Sequence, residues 1–151
     1  MNDSIPVDIL VVEDNDSERD SIVEALEASL PDAALLALRD GEQALDYLFR
    51  RGEWTDRSAN GFPKLILLDL AMPRADGFSV LAKVRSQDAE EALMLTPVVI
   101  FSDSHVTADI SRSYRLGANS FVIKPVSFSD FQGVVKTVAD YWMTHNRLDG
   151  P

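Results

Sequence analysis

Five short apolar runs punctuate the chain, at 7–12, 34–38, 65–68, 98–101 and 120–123. Each is too short for a helix and lacks the polar alternation of a half-exposed strand, as in strands covered on both faces. After each run, apolar residues recur at helical intervals. Ile22, Val23, Leu26 and Leu30 form one stripe over 17–30, stopped by Pro31. Leu45, Leu48 and Phe49 mark a helix over 41–49, and Val80, Leu81 and Val84 one over 77–85. A fourth helix over 106–116 ends at Gly117, a C-cap candidate. The fifth spans 127–143. Its Phe128, Phe131, Val134, Val135 and Val138 are expected to pack on a sheet, with Tyr141 and Trp142 running past the sheet's end.

Strand and helix therefore alternate through five βα units. The expected fold is α/β, a doubly wound five-stranded parallel sheet in the order 2-1-3-4-5 with five helices. That order makes strands 1 and 3 neighbours at the switch point, and ligands of such sheets bind in the crevice beyond the strands' carboxyl ends. The 151 residues suit one domain, with a core over about 6–144 and a short tail. The stretch 50–63 reads as a long loop anchored by Trp54. Seven residues follow Thr144, too few for a helix-turn-helix, so no output domain is expected.

The net charge of −11 disfavours nucleic acid and anionic membranes as partners. The absence of Cys, the acidic N-terminus and the lack of a long apolar run lead to an expected cytoplasmic protein without a membrane span. The two histidines, His105 and His145, have no partner at metal-ligand spacing and read as surface residues.

Chemistry gathers where the apolar runs stop. Glu13 and Asp14 follow the first, Asp69 the third, Ser102 the fourth and Lys124 the fifth. Each has an ordinary reading alone. Asp14 could cap the first helix, as could Asn15 or Asp16; Ser102 could cap the fourth helix; Lys124 before Pro125 could be a solvated turn residue. Together they would be unrelated coincidences along one sheet edge. Two carboxylates about 4 Å apart repel by roughly 4 kcal/mol at an effective dielectric near 20, so three of them demand counter-charge. Lys124 supplies one positive charge and a hard divalent cation, Mg²⁺ or Mn²⁺, would supply two. Such a cluster suits phosphoryl transfer onto the Asp69 carboxylate, with Lys124 and the Ser102 hydroxyl on phosphoryl oxygens.

With its acidic pair Glu13-Asp14, Asp69 in LLDLAMPRADG, Ser102 and Lys124-Pro125 in order, the chain resembles the receiver domain of two-component response regulators over about 6–144. The resemblance implies a phosphoryl group received on Asp69 from a phosphohistidine of a sensor kinase within a phosphorelay. It implies Mg²⁺ held by Glu13, Asp14, Asp69 and the backbone carbonyl of Ala71. It implies a switch in which Ser102 moves toward the phosphate and Phe121 turns inward, remodelling the face of the fourth helix, fifth strand and fifth helix. A cis Lys124–Pro125 bond is usual in the family. The protein would not be an enzyme on other molecules but a phosphoacceptor promoting its own phosphorylation and dephosphorylation. The loop 50–63, the LILLDL strand and the aromatic-tipped last helix are further similar to single-domain regulators partnering cyanobacterial and bacterial phytochromes. The tip aromatics suggest a homodimer through that same face.

Two positions depart from the pattern. Ala71 stands where many receivers carry a longer polar residue, which removes a side-chain influence on phosphate lifetime. Asp103 stands where a small residue is common; its carboxylate either hinders the incoming phosphoryl group or turns away to cap the next helix. Asp103 keeps open a pseudo-receiver that binds partners without phosphorylation. A haloacid-dehalogenase-like phosphatase would need a second Asp where Ala71 stands. Flavodoxin-like electron transfer would need a Gly-rich first loop where EDNDSE stands.

Overall fold

The computed structural model describes residues 6–57 and 61–149. Five parallel strands, β1 (Ile9–Val12), β2 (Leu35–Leu38), β3 (Leu65–Leu68), β4 (Val98–Ser102) and β5 (Ser120–Ile123), form one sheet in the order β2-β1-β3-β4-β5. This is the expected doubly wound order. The helices are α1 (Asp16–Ser29), α2 (Gly41–Leu48), α3 (Gly77–Val84), α4 (Glu91–Met94), α5 (Thr107–Arg115) and α6 (Phe128–Asp140). The five expected helices are thus joined by a sixth. A single turn such as α4 is too short to display a period, although it places Leu93 in the core at 1% exposure.

Successive residues of the central strands point to opposite faces, and both faces are covered. Leu10, Val12, Ile66, Leu68 and Ile100 pack beneath Leu48 of α2 and Val80, Leu81 and Val84 of α3. Ile9, Val11, Leu65, Leu67, Val99 and Phe101 pack against Ile22 and Leu26 of α1 and Phe131, Val135 and Ala139 of α6. Burial on both sides explains why these strands are uniformly apolar. β5, at the sheet edge, is only partly buried.

The last helix departs from expectation at both ends. Phe128, its first residue, is 62% exposed rather than packed on the sheet, because contact with the sheet begins a turn later, where Phe131 meets Phe101 at 5.1 Å. Trp142 does not overrun the core but packs against it, while Tyr141 remains exposed. Both residues lie in a final π-helical turn, Tyr141–His145. In the long loop, a 3-10 turn (Gly52–Trp54) sets the Trp54 ring edge-on to Tyr47 at 5.0 Å, so Trp54 is the loop anchor. Arg57 stacks on Tyr47, 4.3 Å from its ring centre, and donates to the Tyr47 carbonyl.

Candidate functional site

Register alone brings the strand-end residues together. Val12 lies beside Leu68, so Glu13 and Asp69 leave β1 and β3 side by side; Ser102 closes β4 beside Ile123, one residue before Lys124. Ladder hydrogen bonds continue one residue past the strands. Glu13 N–H donates to the Leu38 carbonyl, Asp69 N–H to Val12, and Lys124 N–H to Ser102. The backbones of three site residues are thereby pinned by main-chain hydrogen bonds.

A cleft of about 850 Å³ opens at this edge, lined by Glu13, Asp14, Asp69, Ala71, Ser102 and Lys124 among others. Phe121 lies outside it, half-buried against the core on the α2–α3 side. Close backbone packing shapes the floor. Gly77 N–H donates to the Leu70 carbonyl, and a Cβ on Gly77 would stand 2.2 Å from the Asp69 carbonyl oxygen. Only glycine allows α3 to start this near the end of β3.

Asn15, not Asp14, caps α1; its Oδ1 accepts from Glu18 N–H at 2.9 Å. That leaves the exposed Asp14 carboxylate for the cleft. Carboxylate oxygens of Glu13, Asp14 and Asp69 lie within 4.8 Å of one another. Lys124 is no solvated turn residue, since its side chain is 2% exposed. Its Nζ stands 2.7 Å from Glu13 Oε1 and 3.6 Å from Asp69 Oδ1. Asp69 Oδ1 also accepts from Leu70 N–H at 2.9 Å. Ser102 does not cap α5. Its Oγ accepts from Ser104 N–H at 3.1 Å, and the Ser104 hydroxyl donates to Asp109. Asp103 does not cap that helix either; it is exposed and lines the cleft. His105 and His145 are both exposed.

Burial dominates the electrostatics. It pushes the Asp69 carboxyl up to about 7, reinforced by the charge of Glu13 and opposed by Lys124. Burial likewise raises Glu13, against the pull of Lys124. On Lys124 burial acts downward, but Glu13, Asp69 and Glu18 together outweigh it and hold the ammonium above its ordinary range. Three carboxylates facing one buried ammonium leave a charge deficit that a hard, oxygen-seeking divalent cation fits, with Glu13, Asp14 and Asp69 as its donors.

The family model for the response regulator receiver domain matches residues 9–136. The chain belongs to this family. A probable methanogenesis regulatory protein, FilR2 of Methanothrix harundinacea, is 39% identical over 97% of this chain and 90% of its own length. Among solved structures, the phosphorylated cyanobacterial phytochrome response regulator RcpA superposes with a TM-score of 0.86 at 34% identity, covering 97% of this chain and 100% of that one. The Mn²⁺-bound form of response regulator Rcp1 superposes at 0.85 with 33% identity, covering 96% of this chain and 100% of that one. Phytochrome response regulators are thus among this receiver's relatives.

Two features of the receiver were not legible beforehand or differ from expectation. Glu18 was not singled out, yet its Oε2 accepts a hydrogen bond from Lys124 Nζ at 3.1 Å. Its signal was only its place one turn into α1, just past the acidic pair. The Lys124–Pro125 bond is trans rather than cis, as are all peptide bonds among the described residues; trans is the intrinsic preference of X–Pro bonds by about 0.5–1 kcal/mol.

Proposed function

We propose that this receiver accepts a phosphoryl group on Asp69 from the phosphohistidine of a sensor kinase. The observation that carries the proposal is the convergence of three carboxylates within 4.8 Å, one of them 3.6 Å from a buried lysine. An Asp69 carboxylate oxygen attacks phosphorus, an O–P bond forms, the N–P bond breaks, and the imidazole nitrogen leaves with the electron pair and takes up a proton. Hydrolysis reverses the state: water attacks phosphorus, the acyl-phosphate O–P bond breaks, and the carboxylate returns. Lys124 draws charge from one phosphoryl oxygen and the Ser102 hydroxyl donates to another. When bound by Glu13, Asp14, Asp69 and the Ala71 carbonyl, Mg²⁺ or Mn²⁺ supplies the remaining positive charge that the carboxylates and phosphoryl group require. The protein turns over no other substrate in this scheme.

Incubation with acetyl phosphate and Mg²⁺ is expected to add the mass of one phosphoryl group, and chelation of the metal to prevent it. An unchanged intact mass with Mg²⁺ present would favour the pseudo-receiver, for which the Asp103 carboxylate in the cleft is the supporting observation.

The likeness to phytochrome response regulators supports a red-light-sensing histidine kinase as the phosphoryl donor in a cytoplasmic phosphorelay. Among the described residues no helix is long and apolar enough to cross a membrane. The signal leaves through α5, β5 and α6, the expected fourth-helix, fifth-strand, fifth-helix face renumbered by the additional α4. Ser102 moves toward the phosphoryl group, its bond from Ser104 breaks, and Phe121 turns inward. Phe121 N–H donates to the Tyr114 hydroxyl at 3.1 Å, which ties β5 to α5 on this face. Tyr114, Ile123, Val126 and Phe128 expose apolar surface there. That surface supports a homodimer and a protein, not nucleic acid, as partner. Light scattering at tens of micromolar, with beryllofluoride as phosphoryl mimic, is expected to give twice the monomer mass; a monomer under both conditions would exclude this assembly.

A further inference from the structure

Glu18 stands outside the cluster of three carboxylates, yet it holds the lysine that cluster depends on. Asn15 caps the turn from which its side chain leaves α1, so its approach to the cleft is set locally. The Glu18 side chain is 30% exposed and Lys124 only 2%, which places their bond at the boundary between cleft and solvent. At 3.1 Å, Glu18 Oε2 is nearer the ammonium than Asp69 Oδ1 at 3.6 Å. An ammonium offers three donors. Glu13 and Glu18 occupy the near approaches, and Asp69 takes the longest contact.

A phosphoryl group on Asp69 brings oxygens carrying roughly −1.5 to −2 charge beside Lys124. The ammonium then has to share or release a carboxylate. Glu13 is fixed by burial and by Asn15 N–H, which donates to its Oε2 at 3.1 Å. Glu18, 30% exposed, is the partner that can be released and rehydrated. We infer that Glu18 is a positioning residue that holds Lys124 toward α1 in the resting protein and competes with the phosphoryl group for it, thereby limiting how readily the acceptor is occupied. This rests on Asp69 being the acceptor and adds a residue that governs it. Glu18 acts through Lys124 and touches no reacting atom.

The test uses the full chain with Glu18→Gln, with Glu18→Ala as a second variant lacking the carboxylate. Asp20→Asn, an exposed α1 carboxylate outside the cleft, controls for charge alone. Beryllofluoride affinity in saturating Mg²⁺ is read by calorimetry, and the rate of mass gain from acetyl phosphate by mass spectrometry. Releasing a partly exposed charged partner is expected to tighten beryllofluoride binding and speed phosphorylation about fivefold in both Glu18 variants. Asp20→Asn is expected to leave both within about twofold. A gain of affinity is not what structural damage produces. Glu18 variants equal to or weaker than wild type, or an equal gain in Asp20→Asn, would overturn the inference while leaving the acceptor role intact. A wild type that neither binds beryllofluoride nor gains mass would overturn both.

Discussion

Asp69→Asn is expected to gain no mass from acetyl phosphate and, without metal at pH 8, to be more stable than the wild type. The first effect is chemical, because a neutral carboxamide cannot form the acyl phosphate. The second follows from burial. In the folded protein burial pushes the Asp69 carboxyl up to about 7, against its ordinary value of 3.8. The folded state therefore holds a proton that the unfolded state has lost. The stabilisation from that proton is fully present below about 3.8 and disappears as pH rises through about 7. Above that range the wild type keeps an ionised, buried Asp69 beside Glu13, and Asn removes the conflict. The gain is expected to be on the order of 2–4 kcal/mol at pH 8 and to shrink as pH falls toward 4, read from urea unfolding at several pH values. Mg²⁺ should offset most of this gain, since a ligand at a hundredfold excess over its Kd stabilises the wild type by about 2.7 kcal/mol. A wild type more stable than Asp69→Asn in metal-free buffer at pH 8 would refute this account of the site.

Lys124→Met is expected to destabilise in the same buffer by roughly 3–5 kcal/mol, the cost of removing one partner from a buried ion pair. Methionine keeps the length and volume of the stem, so the loss reports the charge. Glu13, 1% exposed, would lose the ammonium that stands 2.7 Å from its carboxylate. The sign of the pH dependence follows from both partners. Lys124 is raised in the folded state, so its contribution is fully present at pH 8 and is lost only as pH rises beyond the ordinary lysine range. Glu13 and Asp69 are raised as well, so lowering the pH lets them take up protons and removes the need for a counter-charge. The deficit of Lys124→Met should therefore shrink between pH 8 and pH 5, and Mg²⁺ should recover part of it at pH 8. A deficit unchanged by either would mean that packing of the stem, not compensation of the carboxylates, is what Lys124 contributes.

These two variants act on opposite signs of one balance. Without metal, the site holds more negative charge than Lys124 offsets, and the protein tolerates it by raising carboxyl pKa values. A phosphoryl group adds further negative charge beside Asp69. Glu18 belongs to the same balance from the solvent side, which is why its removal is expected to favour occupancy of the acceptor while removal of Lys124 opposes it.

Much of this was legible along the chain because it is written in short periods. Continuous apolar runs marked all five strands, and three- and four-residue spacing marked every helix longer than one turn. The abrupt polar ends of those runs at Glu13, Asp69, Ser102 and Lys124 located the site, since a parallel sheet collects its strand ends at one edge. What the residue pattern could not decide were contacts between distant positions and choices among local near-equals. Asn15 and Asp14 are equally good caps by type, and only the turn into α1 determines which side-chain oxygen meets Glu18 N–H. Phe128 and Trp142 lie on one helical stripe, yet the sheet's extent leaves Phe128 exposed while Trp142 packs against the core. The bond between Glu18 and Lys124 spans 106 positions. It exists only because right-handed crossovers return β5 to the edge where α1 begins. Periodicity thus determined the elements and their ends, because it reflects which side of each element meets water; the tertiary structure alone decided which charges face Lys124, because that depends on how separate elements are brought together.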